Sequence, residues 1–340
     1  MKLHNPIFIA FMLLILLTTK VFADCTCEPE EIDGDKNKAL KYKLIALASI
    51  LVAGAIGVSL PFAGKIFPAL RPEKDGFFVV KAFAAGVILA TGFIHILPQA
   101  FESLTSPCLK EEPWAKFPFT GFVAMVATIG TLSFETLSAA YQLRDQTAAA
   151  AKVVGDVEGE EMDCVLVDAH IPVDDSGLSE VHRYRVVSQV LELGIIIHSV
   201  IIGLSLGASK SPKTIKPLIA ALSFHQFFEG LGLGGCIFQA GIKSVASTLM
   251  GVFFALTTPS GIVIGILVSD TYERNSSTAL IVQGVLNAAS AGILIYMALV
   301  DLVSPDFKDP RMQKNKILLL TSNVSLLLGA GLMSLLAKWA

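Results

Sequence analysis

Eight stretches of the chain are apolar for long enough to cross a bilayer: Leu44–Phe62, Phe77–Leu97, Phe119–Tyr141, Val186–Leu206, Pro217–Ala240, Ala246–Val268, Thr278–Val303 and Ile317–Leu336. A helix crosses about 30 Å of hydrocarbon in about 20 residues, so each stretch predicts one span. Short polar turns such as Lys65 to Gly76 and Lys308 to Lys316 separate them, with Pro, Gly and charge ending each helix. One connection differs. Residues 142–185 carry Asp156, Glu158, Glu160, Glu161, Asp163, Asp174 and Asp175, which predicts an acidic loop dividing three spans from five.

A ninth apolar run, Ile7 to Leu17, is too short to span. With Lys2 before it and Val21 and Ala23 after it, the run reads as a signal peptide over 1–23. Removal after Ala23 leaves an extracellular tail at 24–43, spans one to three within 44–141, a cytoplasmic loop at 142–185 and spans four to eight within 186–340. Both ends of the mature chain then lie outside. Basic residues divide almost evenly between the two sides, so this orientation rests mainly on the leader. Cys25, Cys27, Cys108 and the acceptor pattern Asn275-Ser276-Ser277 all fall on the oxidising side. A disulfide from the tail to Cys108 and a Cys-x-Cys metal site are both open readings.

Composition agrees with the spans. Of 340 residues, 53% are hydrophobic and 16% charged, against roughly 25% charged in ordinary globular domains. The mean hydropathy of +0.66 fits a chain that mostly faces lipid. A net charge of −3, from 26 basic and 29 acidic residues, supplies no basic face for nucleic acid. The fold class is therefore all-α: a polytopic membrane protein with eight transmembrane helices.

Polar side chains within such spans are costly, which makes them candidates for function. Lys81 and Asp301 lie near span ends and read as structural. Glu135 and Glu192 are deeper, and each either lines an ion path or pairs with a polar neighbour. His198 lies 12 residues past Val186, about 18 Å along its helix and near the midplane. Span five holds His225-Gln226-Phe227-Phe228-Glu229-Gly230, in which His225 and Glu229 share one face at a depth close to that of His198. Imidazole nitrogen with one carboxylate suits a borderline divalent cation such as Zn²⁺ or Fe²⁺ better than Mg²⁺ or Ca²⁺. Transport of that cation through the membrane is the function this predicts. Gly203, Gly207, Gly230 and Gly234 predict close approach of helices four and five. Thr257-Thr258-Pro259 predicts an interruption of span six.

These residues resemble the ZIP (Zrt-, Irt-like) family of metal transporters, in its plant branch. The resemblance is carried by His198-Ser199-Val200-Ile201-Ile202-Gly203-Leu204-Ser205-Leu206-Gly207 in span four and by His225 through Gly232 in span five. Gly92-Phe93-Ile94-His95-Ile96-Leu97-Pro98, Thr257-Thr258-Pro259 and Ile295 through Asp301 add to it. It implies a 3+5 arrangement of spans around the long loop, metal entering the cytoplasm, a multi-pass place in the plasma membrane and a homodimer with elevator-like movement. By position it implies that His198, His225 and Glu229 hold the metal, with His95 from span two as a further ligand. No resident cofactor is expected beyond the transported ion. The sequence also departs from the family. Ile202 stands where many members have a carboxylate, Ser199 and Gln226 replace stronger ligands, and the loop offers only His170 and His182 in place of a histidine repeat.

Other classes fare worse. An intramembrane zinc protease needs His-Glu-x-x-His, which is absent, and Ser260-Gly261 follows a proline, not a glycine-rich elbow. No enzyme activity is predicted. The alternative is a membrane metal sensor without net transport, since binding residues alone do not establish passage.

Overall fold

A computed structural model describes residues 36–65, 74–157, 175–242, 244–269 and 276–337. The expectations for the leader 1–23, for Cys25, Cys27 and His170, and for Asn275 lie outside them. Among the described residues eight long helices follow one another: α1 (Lys36–Ser59), α2 (Asp75–Leu104), α3 (Phe119–Val157), α4 (Asp175–Ala208), α5 (Pro212–Gln239), α6 (Ser244–Val268), α7 (Ser277–Lys308) and α8 (Lys316–Leu336). No strand occurs among the described residues. All except α5 contain a segment long and apolar enough to cross a membrane, so the chain is a polytopic all-α membrane protein. α5 has the length, 28 residues or about 42 Å. Its Lys213, Lys216, His225, Gln226, Glu229 and Gln239 dilute the apolar run.

Local chemistry sets the helix starts. Ser211, Ser276 and Asn315 each precede a helix and accept the backbone N–H three residues on, from Thr214, Ala279 and Leu318. Pro212 follows the first of these caps, where its missing N–H costs nothing.

Four expectations are corrected. First, the helix does not stop at Gln142: α3 runs to Val157 and α4 already begins at Asp175, so both ends of the 142–185 segment are helical. The run Ala148 to Ala151 has the highest helix propensity available, which outweighs the loss of apolar character there. Second, span two does not end at Leu97 before Pro98. A π-helical turn at Thr91–Ile96 opens the backbone ladder, and Pro98 sits in the first turn of the helix that resumes to Leu104. α7 repeats the device, with a π-helical turn at Met297–Val303 and Pro305 after it. Third, α6 passes through Pro259 as one helix without a break. Fourth, the glycines of α4 and α5 do not join those two helices to each other. A Cβ on Gly207 would lie 2.2 Å from the Ile262 carbonyl oxygen of α6, and one on Gly234 would lie 2.3 Å from the Val58 oxygen of α1. Only glycine permits backbones that close.

The helices form two sets. α1, α4, α5 and α6 pack together through α1 against α5 and α4 against α6; α2, α3, α7 and α8 do so through α2 against α8 and α3 against α7. The sets meet where α2 faces α5 and α7 faces α4. Hydroxyl groups tie the helices together, because lipid supplies no water to satisfy them. Ser290 of α7 donates to the Gly194 oxygen of α4 at 2.7 Å, Ser325 of α8 to the Val79 oxygen of α2 at 2.7 Å, and Thr128 of α3 to the Gly292 oxygen of α7 at 3.1 Å.

Charge is handled at the helix ends. Lys81 pairs with Asp306 at 2.9 Å, both nearly buried, and also donates to Gln239 of α5 at 3.2 Å. Three helices therefore converge on one ammonium, whose donors are matched by acceptors as burial requires. Cys108 is disulfide-bonded, and its carbonyl accepts from Ser277 at the start of α7 at 3.2 Å.

Candidate metal centre

α5 carries the first two groups. Four residues separate His225 from Glu229, so both project from one face, and Nε2 of His225 lies 3.2 Å from Oε2 of Glu229. Both side chains are buried, Glu229 completely. α4 brings His198, also completely buried, with its ring 5.2 Å from that of His225. α2 brings His95 from the opposite helix set. Its ring lies 5.5 Å from that of His198 and 5.9 Å from that of His225. The extension of α2 to Leu104 explains the depth of His95, which a span ending at Leu97 would put at the rim.

The four residues picked out by sequence are thus brought together, from three helices and two helix sets. Their polar atoms are poorly satisfied by the protein. Nε2 of His95, both ring nitrogens of His198 and both carboxylate oxygens of Glu229 are buried and make no hydrogen bond. The 3.2 Å approach of His225 to Glu229 is close without being aligned as a hydrogen bond, since Nε2 of His225 is unsatisfied as well. Burying such groups without a protein hydrogen-bond partner is expensive, which marks the cluster as a place for something other than packing. As the side chains stand, no three His, Cys, Asp or Glu residues among those described are arranged to hold one ion. The three imidazole planes are inclined at 60° to 89° to one another.

The surroundings fit the departures noted in the sequence. Ile202, one turn after His198, packs with Ala46, Ile50, Leu206, Leu222 and Ile262 in an apolar cluster. Oγ of Ser199 and Nε2 of Gln226 are buried without hydrogen bonds, while Oε1 of Gln226 accepts from Thr258 of α6 at 2.9 Å. Glu135 of α3 accepts from the Tyr296 hydroxyl of α7 at 2.9 Å, the polar-neighbour reading, and its Oε1 makes no hydrogen bond. Glu192 is half-buried on α4.

Sequence reasoning missed Thr91. Its Oγ1 lies 3.3 Å from Nδ1 of His225. The four-residue spacing from Thr91 to His95 places both on one face of α2, but nothing in the sequence pairs Thr91 with His225.

A family model described as ZIP Zinc transporter matches residues 40–337. Zinc transporter 3 of Arabidopsis thaliana is 55% identical over 316 residues, covering 93% of this chain and 90% of that protein. Zinc transporter 5 of Oryza sativa subsp. japonica is 51% identical, covering 94% and 92%. Fe(2+) transport protein 2 of the same rice is 44% identical, covering 99% and 98%.

Proposed function

The chain belongs to the ZIP zinc transporter family, and from that premise we propose that it moves zinc, and secondarily ferrous iron, across the membrane through the His198, His225, Glu229 and His95 cluster. Members of this family are divalent-metal transporters and not enzymes. The observation that carries the reading is the convergence of three buried imidazoles and one buried carboxylate whose donor atoms the protein leaves unsatisfied. Neutral imidazole and carboxylate are the donors that a borderline cation accepts on losing its water. The rings stand 5.2 to 5.9 Å apart, so closing on an ion takes rotation of side chains already in contact range.

In this reading α5 is the eighth span, its polar groups tolerated because α1, α2, α4 and α6 cover them. Metal enters the cytoplasm at the plasma membrane, and the chain works as a homodimer; both follow the family resemblance. His198, His225 and Glu229 form the essential set because two neighbouring helices of one set carry them. His95 crosses from the other set and governs capture and preference. Zinc uptake by cells expressing surface-matched variants tests this. His198→Ala and His225→Ala each reduce uptake at least about tenfold, and His95→Ala lowers it less or shifts the zinc-to-iron ratio. Normal uptake by His225→Ala would overturn the site.

A further inference from the structure

A threonine within a helix ordinarily turns its hydroxyl onto its own backbone, donating to the carbonyl three or four residues back. Thr131, Thr136, Thr248 and Thr321 all do so, each at 2.9 Å to the fourth residue back. Thr91 does not follow them. It is completely buried, it opens the π-helical turn that carries His95, and its Oγ1 reaches across to α5 to stand 3.3 Å from Nδ1 of His225. Thr258 makes the matching departure from the α6 side, toward Gln226. The adjacent residues His225 and Gln226 are thus each held by a threonine from a different neighbouring helix.

The contact with His225 has a chemical consequence. A neutral imidazole carries one proton, and the nitrogen that binds a cation must be the one without it. The hydrogen bond made by the other nitrogen decides which that is and fixes the ring's direction. In His225, Nδ1 faces Thr91 and Nε2 faces Oε2 of Glu229 at 3.2 Å. We propose that Thr91 is a positioning residue for metal capture: its hydroxyl accepts the Nδ1–H of His225, so that Nε2 presents its lone pair beside Glu229. Glu229 cannot serve in that place, because it lies on the Nε2 side and is itself a donor to the metal. The inference rests on the reading of His225 and Glu229 as metal ligands and adds a residue that never touches the ion. It also assigns α2 two tasks within one turn, supplying the ligand His95 and orienting a ligand of α5.

The test exploits the opposite demands of packing and hydrogen bonding at a completely buried site. Valine keeps the shape of threonine and loses the hydroxyl; serine keeps the hydroxyl and loses a methyl group. A packing role predicts that Thr91→Val behaves as wild type and Thr91→Ser is impaired. The positioning role predicts the reverse. Loss of such an outer partner typically weakens metal affinity by about 10- to 100-fold. The full chain, purified in detergent, is titrated with zinc against a competing chelator, and zinc uptake is measured on surface-matched cells. The expected result for Thr91→Val is at least about a tenfold weaker zinc affinity with a matching rise in KM, and for Thr91→Ser a value within about twofold of wild type. His225→Ala is measured alongside, alone and combined with Thr91→Val. If His225 is a ligand and Thr91 acts through it, the combined variant binds zinc no more weakly than His225→Ala alone. Wild-type affinity in Thr91→Val together with loss in His225→Ala would overturn the role of Thr91 and leave the site standing. Wild-type affinity in His225→Ala would overturn the site itself.

Discussion

α8 and α5 are both long enough to cross a bilayer, and they are built in opposite senses. α8 is apolar enough to cross a membrane, yet only 22% of its apolar stretch is buried within the protein, and Leu320 and Leu327 are 65% and 71% exposed. Its buried positions Leu318, Ser322, Ser325, Gly329 and Met333 form one narrow stripe, three and four residues apart, which includes two serines and a glycine. α5 falls short of the apolar composition of a membrane span, and it buries His225, Gln226 and Glu229 at the centre of the molecule. Between these two helices the more apolar one faces outward and the more polar one is enclosed, the inverse of a water-soluble bundle. Hydropathy alone falls short on α5, which carries His225 and Glu229, whereas α2 and α4, which carry His95 and His198, are apolar enough to be found by it.

The sharpest way to break this contrast is to alter one polar residue on α5 and one apolar residue on α8. Glu229→Ala removes a completely buried carboxylate from the metal centre and is expected to lower zinc uptake at least about tenfold. Leu327→Ala removes a larger apolar side chain that touches lipid, and uptake stays within about twofold, since no protein packing is lost. Equal damage from the two substitutions would show that α8 is not a lipid-facing helix in the assembled transporter.

A smaller effect, on stability and not on transport chemistry, distinguishes enclosed backbone from open backbone. A Cβ on Gly57 of α1 would stand 2.1 Å from the Phe227 carbonyl oxygen of α5, whereas one on Gly331 of α8 meets nothing within 4 Å. Gly57→Ala must push α1 from α5, at a cost of about 1 to 3 kcal/mol, and thereby lowers the melting temperature of the detergent-purified chain. Gly331→Ala is neutral or stabilising by up to about 1 kcal/mol through helix propensity. Matching melting temperatures for the two variants would place α1 farther from α5 than the structure does.

Much of the site could be read in the sequence because it is local along one helix. The His225 to Glu229 spacing guarantees a shared face, and depth arithmetic brought His198 to the same level. His95 was legible only as a family position, since a span ending at Pro98 leaves it at the rim; the π-helical turn that carries α2 onward has no hydropathy signature. Helix partners were not legible either. Gly207 and Gly234 announced close packing, but whether they meet each other or α6 and α1 depends on the arrangement of eight helices in three dimensions. Thr91 escaped notice for the same reason. A buried threonine on α2 gains meaning only when α5 brings the Nδ1 atom of His225 within 3.3 Å of it.

The central claim, that imidazoles of α2, α4 and α5 with Glu229 together hold the transported ion, is tested most directly by X-ray absorption at the zinc edge on the purified, zinc-loaded chain. The expected spectrum has nitrogen and oxygen neighbours at about 2.0 to 2.1 Å with the outer-shell scattering of imidazole, and no sulfur shell at about 2.3 Å. That imidazole signal falls in His225→Ala and again when His198→Ala is added. An imidazole signal unchanged by both substitutions would place the ion elsewhere and contradict the account.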